Sequence, residues 1–88
     1  MRQIEKKMID AIKQGRNFTL DNTHDIIDAN TAHVFLHGNH IASVVNDVIV
    51  NKDTLKLFPT PTTKSRLRAL GVDVYTKKGI TYLYGKEV

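Results

Sequence analysis

Two histidines flank a glycine–asparagine pair in His37–His40 and form the first group of side chains with the chemistry of a metal site. Imidazole nitrogens bind transition metals, and a tight turn brings its flanking side chains together. A zinc site needs four ligands, or three and a water, whereas the chain has no cysteine and no second ligand cluster. The candidate metal ligands are therefore His37 and His40, and the favoured alternative is a pair of turn histidines that make local hydrogen bonds.

Nucleophilic and acid–base chemistry is poorly represented in the sequence. Ser43 and Ser65 are the serines of the chain, and neither lies between the glycines of a nucleophile elbow. Asp21, Asp25 and Asp28 lie among turn-forming residues and are predicted to shape turns rather than to share a proton. The glycines occur singly, so no phosphate-binding loop is indicated. The sequence therefore predicts a protein that is not an enzyme and has no cofactor.

Length and composition indicate one small domain. The chain has 88 residues, of which 41% are hydrophobic and 25% charged, which is ordinary globular usage. The absence of cysteine excludes disulfides and thiolate metal sites. No apolar run approaches the roughly 18 residues of a membrane span, and the first residues are too charged for a signal peptide. We therefore expect a cytoplasmic protein with no membrane partner.

The hydrophobic pattern predicts an α+β fold: an N-terminal amphipathic helix, an antiparallel β-meander, a short helix and a C-terminal β-hairpin. The first helix covers about Arg2–Gln14, and the second runs from a cap at Thr62 or Thr63 to about Leu70. Gly38-Asn39 is predicted to be a hairpin turn. The predicted strands are Phe18–Leu20, Asp25–Ile27, His33–His37, Ile41–Val45, Val48–Val50, Thr54–Phe58, Val72–Thr76 and Ile80–Tyr84.

Positive charge and tyrosines concentrate in the C-terminal half. Residues 51–88 hold eight Lys or Arg against three Asp or Glu, whereas residues 1–50 hold five against six. Cations suit phosphate contacts, and tyrosine is favoured both in interface hot spots and for stacking on bases. We expect a partner-binding surface, for protein or nucleic acid, formed by Lys64, Arg66, Arg68, Lys77, Lys78, Tyr82 and Tyr84.

Three stretches resemble a known group of small proteins. Val34–Ala42 is similar to a YLHGN-x-IA hairpin, and Thr60–Leu70 is similar to a T-x-TT-[KR]-x-RLNAL helix start. Gly79 and Tyr82-Leu83 fit a closing KKG-x-x-YL hairpin. Together they resemble small proteins encoded by tailed bacteriophages, over about residues 17–85. The chain departs from that pattern at Arg68, where asparagine is expected, and at Thr81, where tryptophan is expected.

The resemblance implies expression inside an infected bacterium, and by analogy it implies a small protein that binds other macromolecules. We therefore expect a non-enzymatic protein that engages a host or phage protein in the bacterial cytoplasm. The alternative is a nucleic-acid-binding protein that contacts phosphates through its basic C-terminal half. Homo-oligomerisation is a further alternative that the sequence leaves open.

Overall fold

A computed structural model describes the whole chain, Met1–Val88, as three helices and eight strands. The helices are α1 (Gln3–Lys13), α2 (Lys52–Leu57) and α3 (Pro61–Ala69). The strands are β1 (Phe18–Leu20), β2 (Thr23–Asp28), β3 (Thr31–Leu36), β4 (Asn39–Val44), β5 (Val48–Val50), β6 (Val74–Lys77), β7 (Ile80–Leu83) and β8 (Lys86–Glu87).

The strands form two antiparallel sheets, each in sequential order. The larger sheet runs β1-β2-β3-β4-β5, and the smaller one runs β6-β7-β8. Helix α1 packs against β1 and β2, α2 packs against β4, and α3 packs against β4 and β6. The two sheets and three helices therefore share one hydrophobic core on one side of the larger sheet. That core consists of Met8, Val34, Leu36, Ile41, Ala42, Leu55, Leu67, Val72, Val74 and Leu83.

The predicted α+β fold class, the meander and the two hairpin turns are confirmed. The turn between β3 and β4 is displaced by one residue, because His37 and Gly38 take the two positive φ angles, 51° and 78°. Asn39 then begins β4. The last hairpin turns at Lys78 and Gly79, with φ angles of 50° and 77°. Two successive positive φ angles match the right-handed strand twist, and glycine takes such an angle without steric cost.

The predicted strand Thr54–Phe58 is wrong, because this segment forms α2. Asn51 caps that helix by accepting a hydrogen bond from the backbone N–H of Thr54, 3.2 Å away. Helix α3 also begins earlier than predicted. Thr60 is its cap, accepting from the N–H of Thr63 at 3.1 Å, and Pro61 occupies the first turn.

A buried ion pair joins the two longer helices. Glu5 Oε2 lies 2.8 Å from Arg66 Nη1, and both side chains are 3% exposed. Ser65 Oγ donates to the same oxygen at 2.6 Å, and the backbone N–H of Arg2 donates to Oε1 at 3.1 Å. Arg66 Nε donates to Thr23 Oγ1 at 3.0 Å, which extends the network to the start of β2. Burial raises the pKa of Glu5, but the hydrogen bonds and the charge of Arg66 outweigh it, so the pKa is lowered overall.

Asp25 is a second buried carboxylate, and it has no partner. Its side chain is core-facing in the middle of β2, and the residue is 1% exposed, with both oxygens lacking a hydrogen-bond partner. The prediction that Asp25 shapes a turn is therefore wrong. Burial raises the pKa of this carboxyl, and the charge of Arg16 offsets only part of that effect. The ionised form of Asp25 therefore destabilises the folded state.

Removing one member of the buried ion pair should destabilise the protein strongly. We expect Glu5→Gln or Arg66→Met to lower the free energy of unfolding by about 3–5 kcal/mol, because each leaves an uncompensated buried charge or polar group. Urea denaturation followed by circular dichroism measures this. Asp10→Asn, an exposed carboxylate on the same helix, is the control and should stay within about 0.5 kcal/mol of the wild type. A Glu5→Gln protein as stable as Asp10→Asn would contradict the assignment.

Asp25→Asn should stabilise the protein at neutral pH. Because the folded state raises the pKa of Asp25, it takes up the proton first as pH falls, and the penalty of the buried charge disappears. The advantage of the variant at pH 7 should therefore shrink as pH falls through the raised pKa towards the ordinary value of 3.8. Urea denaturation at several pH values measures this difference, with exposed Asp28→Asn as control. A difference that did not change with pH would contradict the account.

Candidate protein-binding surface

The three cationic side chains of α3 that were predicted to bind a partner make hydrogen bonds within the protein. Arg66, predicted to bind a partner, is 2% exposed, and its guanidinium is bonded to Glu5 and Thr23, so it is not presented at the surface. Lys64 is 8% exposed and donates from Nζ to Thr76 Oγ1. Arg68 is exposed, but its Nη1 donates to the carbonyl oxygen of Val74 at 3.1 Å. Lys64 and Arg68 thus attach α3 to β6, an edge strand of the smaller sheet.

The predicted residues of the last hairpin remain at the surface to different degrees. Lys77 and Lys78 are exposed at the β6–β7 turn. Tyr82 is half-buried and stacks on Tyr75 across the strand pair, with ring centroids 5.2 Å apart and an interplanar angle of 15°. Such a pair stabilises the hairpin itself. Tyr84 is 58% exposed and begins the β7–β8 turn with a φ of 50°, which is unusual for a bulky residue.

Two exposed apolar residues near this hairpin lie at the end of α2 and at the start of its connection to α3. Leu57 is 72% exposed and Phe58 is 44% exposed, although both are large hydrophobic residues. Pro59 and Pro61 follow and fix their own φ angles, which stiffens the connection. An exposed Leu-Phe pair on a stiff connection is unusual because apolar side chains of this size are normally buried.

This connection and the β6–β7 turn lie side by side. Pro59 lines the same groove as Gly79 and Ile80, and Ile80 is itself 38% exposed. Lysines lie beside this groove: Lys56 lines it, Lys77 pairs with Ile80, and Lys78 precedes Gly79. Glu87 is the carboxylate of the groove. Leu57 precedes this groove in the chain, and Phe58 lines a neighbouring groove with His37, Asn39 and Thr60. We call the whole set the loop–hairpin surface and define it as Leu57, Phe58, Pro59, Ile80, Lys56, Lys77 and Lys78.

An apolar centre with a charged rim is the usual composition of a protein-binding site. The sequence pattern indicated the lysines of the turn but not Leu57 and Phe58, because it predicted a strand for both. The signal that would have located them is Asn51 three residues before Thr54, followed by Asp53 and Lys56 in the first and last turns of a helix. A helix of that length ends before Phe58 and leaves Phe58 in the connection.

The candidate metal ligands are not brought together with further ligands. His37 lies in the β3–β4 turn and is exposed. His40 packs on the larger sheet beside His33 and Phe35, with ring centroids 5.5 and 5.2 Å away, respectively. His33 Nδ1 and His40 Nε2 lie 3.1 and 2.9 Å from Ser43 Oγ, within hydrogen-bond distance. No group of three or more His, Cys, Asp or Glu is placed to hold a metal ion.

None of the helices is long and apolar enough to cross a membrane.

Comparison with known proteins identifies the family of the chain. No curated protein and no solved structure matches the chain significantly. A family model described as "Kyanoviridae Gp96 protein" matches residues 1–88, the full length of the chain. This agrees with the resemblance of its hairpin and helix motifs to phage proteins. The chain therefore belongs to the Kyanoviridae Gp96 protein family, a family of phage proteins of unknown function.

Proposed function

We propose that this phage protein is a non-enzymatic binding protein that engages a host or phage protein through its loop–hairpin surface, in the cytoplasm of the infected cell. The observation that carries the proposal is the exposure of Leu57 and Phe58, 72% and 44%, on a connection stiffened by two prolines. Exposure of these two side chains to water does not stabilise the free protein. A partner that covers them gains the free energy of burying them.

The expected gain is large enough for specific binding. Fully burying a leucine or phenylalanine side chain contributes about 1.5–3 kcal/mol. Because Leu57 is 72% exposed and Phe58 44% exposed, covering what remains of both supplies about 2–3 kcal/mol, and Ile80, 38% exposed in the adjoining groove, adds to it. A stiff connection also loses little conformational freedom when it is bound, which preserves more of that gain as affinity. A few anchors of this kind typically dominate the energy of a protein interface.

The lysine rim indicates the chemistry of the partner. Lys56, Lys77 and Lys78 are exposed beside the apolar centre, and Glu87 is the carboxylate in the adjoining groove. Lysines at a rim attract a partner that carries carboxylates around an apolar pocket, and they raise the association rate more than the affinity. We therefore expect an acidic partner whose association rate falls as salt is added.

The cations available for a polyanion are fewer than the sequence suggested. Arg66 is neutralised by Glu5, and Lys64 and Arg68 are bonded to β6. A nucleic-acid-binding function relies on several phosphate contacts at once. Fewer cations than the sequence indicated are therefore free to make such contacts.

Capture from a lysate of the infected host tests the proposal. The immobilised wild type should retain a specific protein in stoichiometric amount from nuclease-treated lysate, and the Leu57→Ser, Phe58→Ser double variant should not. Leu20→Ser is the matched control, because Leu20 is 39% exposed on β1, an edge strand of the larger sheet. Its capture should equal that of the wild type. Thermal unfolding of all three proteins verifies that the substitutions leave the fold intact.

Direct titration with the captured protein gives the magnitude of the change in affinity. Phe58→Ser alone should weaken its binding by about 30-fold, which corresponds to the ~2 kcal/mol of a typical hot spot. Equal capture by the wild type and the double variant would contradict the proposed surface. Recovery of material that disappears with nuclease would instead favour nucleic-acid binding.

A further inference from the structure

We infer that His33, His40 and Ser43 of the larger sheet form a binding site for a late divalent transition-metal ion. The site lies on the side of the sheet opposite the core and is independent of the loop–hairpin surface. The sequence pointed to His40 as a candidate ligand with His37 as its partner. In the structure, His33 takes the place of His37, and a serine hydroxyl supplies a third ligand atom.

A β-bulge between β3 and β4 brings the three side chains to one face. His33 lies directly opposite Ser43 in the strand pair. Residues three apart in a regular strand point to opposite faces, so His40 would point away from Ser43. The register shift after Val34 inserts one extra residue into β4 and leaves two successive residues of β4 buried. His40 therefore points to the same face as Ser43. Bulges are over-represented next to active sites, where they redirect a side chain in this way.

The two imidazole rings converge on one oxygen atom. His33 Nδ1 lies 3.1 Å from Ser43 Oγ, and His40 Nε2 lies 2.9 Å from it. Metal–ligand bonds of about 2.0–2.1 Å place neighbouring ligand atoms roughly 2.9 Å apart in a square arrangement and about 3.3 Å apart in a tetrahedron. The two nitrogen–oxygen separations therefore suit ligand atoms of a single ion, and they lie closer to the square arrangement.

The separation of the rings also suits two ligands of one ion. The ring centroids of His33 and His40 are 5.5 Å apart, with an interplanar angle of 63°. With metal–nitrogen bonds of about 2.0 Å, each ring centre lies roughly 3.2 Å from the ion, so two rings bound side by side are about 4.5–5.5 Å apart. An ion between the two rings therefore requires little movement of either strand.

The hydrogen bonds of Ser43 leave these nitrogens ready to bind a cation. When both imidazoles are neutral, Ser43 Oγ donates its one proton to one ring nitrogen and accepts an N–H from the other ring. One imidazole thus already directs a lone pair at the site. The other has only to move its proton to its second ring nitrogen. A metal ion then replaces both hydrogen bonds with bonds to nitrogen and oxygen.

The surroundings of the site favour a cation. Strands β2, β3, β4 and β5 contain no lysine or arginine that would repel it. Phe35 packs against His40, with ring centroids 5.2 Å apart, and Ile26 lies opposite His33. Apolar neighbours of this kind restrict the access of water and lower the local dielectric constant, which strengthens bonds to a metal. The three ligand side chains are half-buried, so an ion reaches them from solvent and water completes its coordination.

The ligand types select the ion. Nitrogen and oxygen ligands in a square or tetragonal arrangement suit Cu²⁺ and Ni²⁺, and Cu²⁺ binds most tightly among the divalent ions of this series. Neither ring is hydrogen-bonded to a carboxylate of the kind that orients histidines in tight metal sites. We therefore expect a moderate affinity, with a dissociation constant for Cu²⁺ of about 1–100 μM, far weaker than that of a four-ligand structural site.

Isothermal titration calorimetry of the untagged chain with Cu²⁺ alone tests the inference. The wild type should bind one ion at this site, and His33→Gln and His40→Gln should each weaken binding at least about tenfold, because each removes a nitrogen ligand. His37→Gln is the matched control, because His37 is exposed on the β3–β4 turn, and it should bind as the wild type does. A wild type that binds no Cu²⁺ would overturn the inference. So would equal binding by His33→Gln, His40→Gln and His37→Gln.

Ser43→Cys tests the third ligand, because it exchanges an oxygen for a sulfur at the same position. Titrated with Co²⁺, this variant should show the near-ultraviolet absorption of a thiolate–cobalt bond and bind at least about tenfold more tightly than the wild type, since a thiolate is a stronger ligand than a hydroxyl. Binding of Co²⁺ without that absorption would contradict the position of Ser43 at the ion. Circular dichroism of each variant verifies the fold, and neither titration bears on protein capture by the loop–hairpin surface.

Discussion

The ion pair between Glu5 and Arg66 is the interaction on which the arrangement of this small domain depends. Moving two charges out of water costs several kcal/mol per ion, and only a complete set of hydrogen bonds offsets that cost. The carboxylate of Glu5 accepts hydrogen bonds from Ser65 Oγ, Arg66 Nη1 and the backbone N–H of Arg2. Arg66 Nε also donates to Thr23 Oγ1. The network fixes α1 and α3 relative to each other and to the beginning of β2. A domain of 88 residues has little core with which to achieve this by packing alone.

This use of α3 determines where the protein can bind other molecules. Thr63, Lys64, Arg66 and Leu67 of this helix are buried, and Lys64 and Arg68 attach the helix to β6. The bond from Arg68 to the carbonyl of Val74 also occupies part of an edge strand that would otherwise be open to pairing. The basic helix therefore stabilises the fold, and the exposed lysines lie instead around the α2–α3 connection and the β6–β7 turn. The surface that results there is apolar, with lysines beside it.

Local patterns were sufficient to predict much of the fold. Helix α1 ends beside Gly15, and β1 and β5 have the predicted bounds. In each case neighbouring residues carry the information, as hydrophobic spacing or turn chemistry. The errors occur where one side chain changes the outcome. Asn51 caps a helix where β-propensity alone favoured a strand for Thr54–Phe58.

The buried charged groups were harder to predict, because the partners of the ion pair are distant in the sequence. Glu5 and Arg66 are 61 residues apart, and nothing near Arg66 distinguishes it from the exposed Arg68. The helical spacing does indicate that Glu5 is buried, because Glu5 lies three residues before the buried Met8 and shares its helical face. The buried, unpaired Asp25 left no such trace, because an aspartate among turn-forming residues is normally a surface group.

The side-chain N–H resonances of the arginines in a two-dimensional ¹H–¹⁵N NMR spectrum test the central claim most directly. Arg66 Nε–H donates to Thr23 Oγ1 inside the protein, so its exchange with water should be much slower than that of Arg68, whose bond is made at the surface by Nη1. Glu5→Gln, if the variant remains folded, should speed the exchange at Arg66. A resonance of Arg66 that exchanges as fast as those of the exposed arginines would show that this side chain is free in solution. The buried ion pair would then not organise the fold.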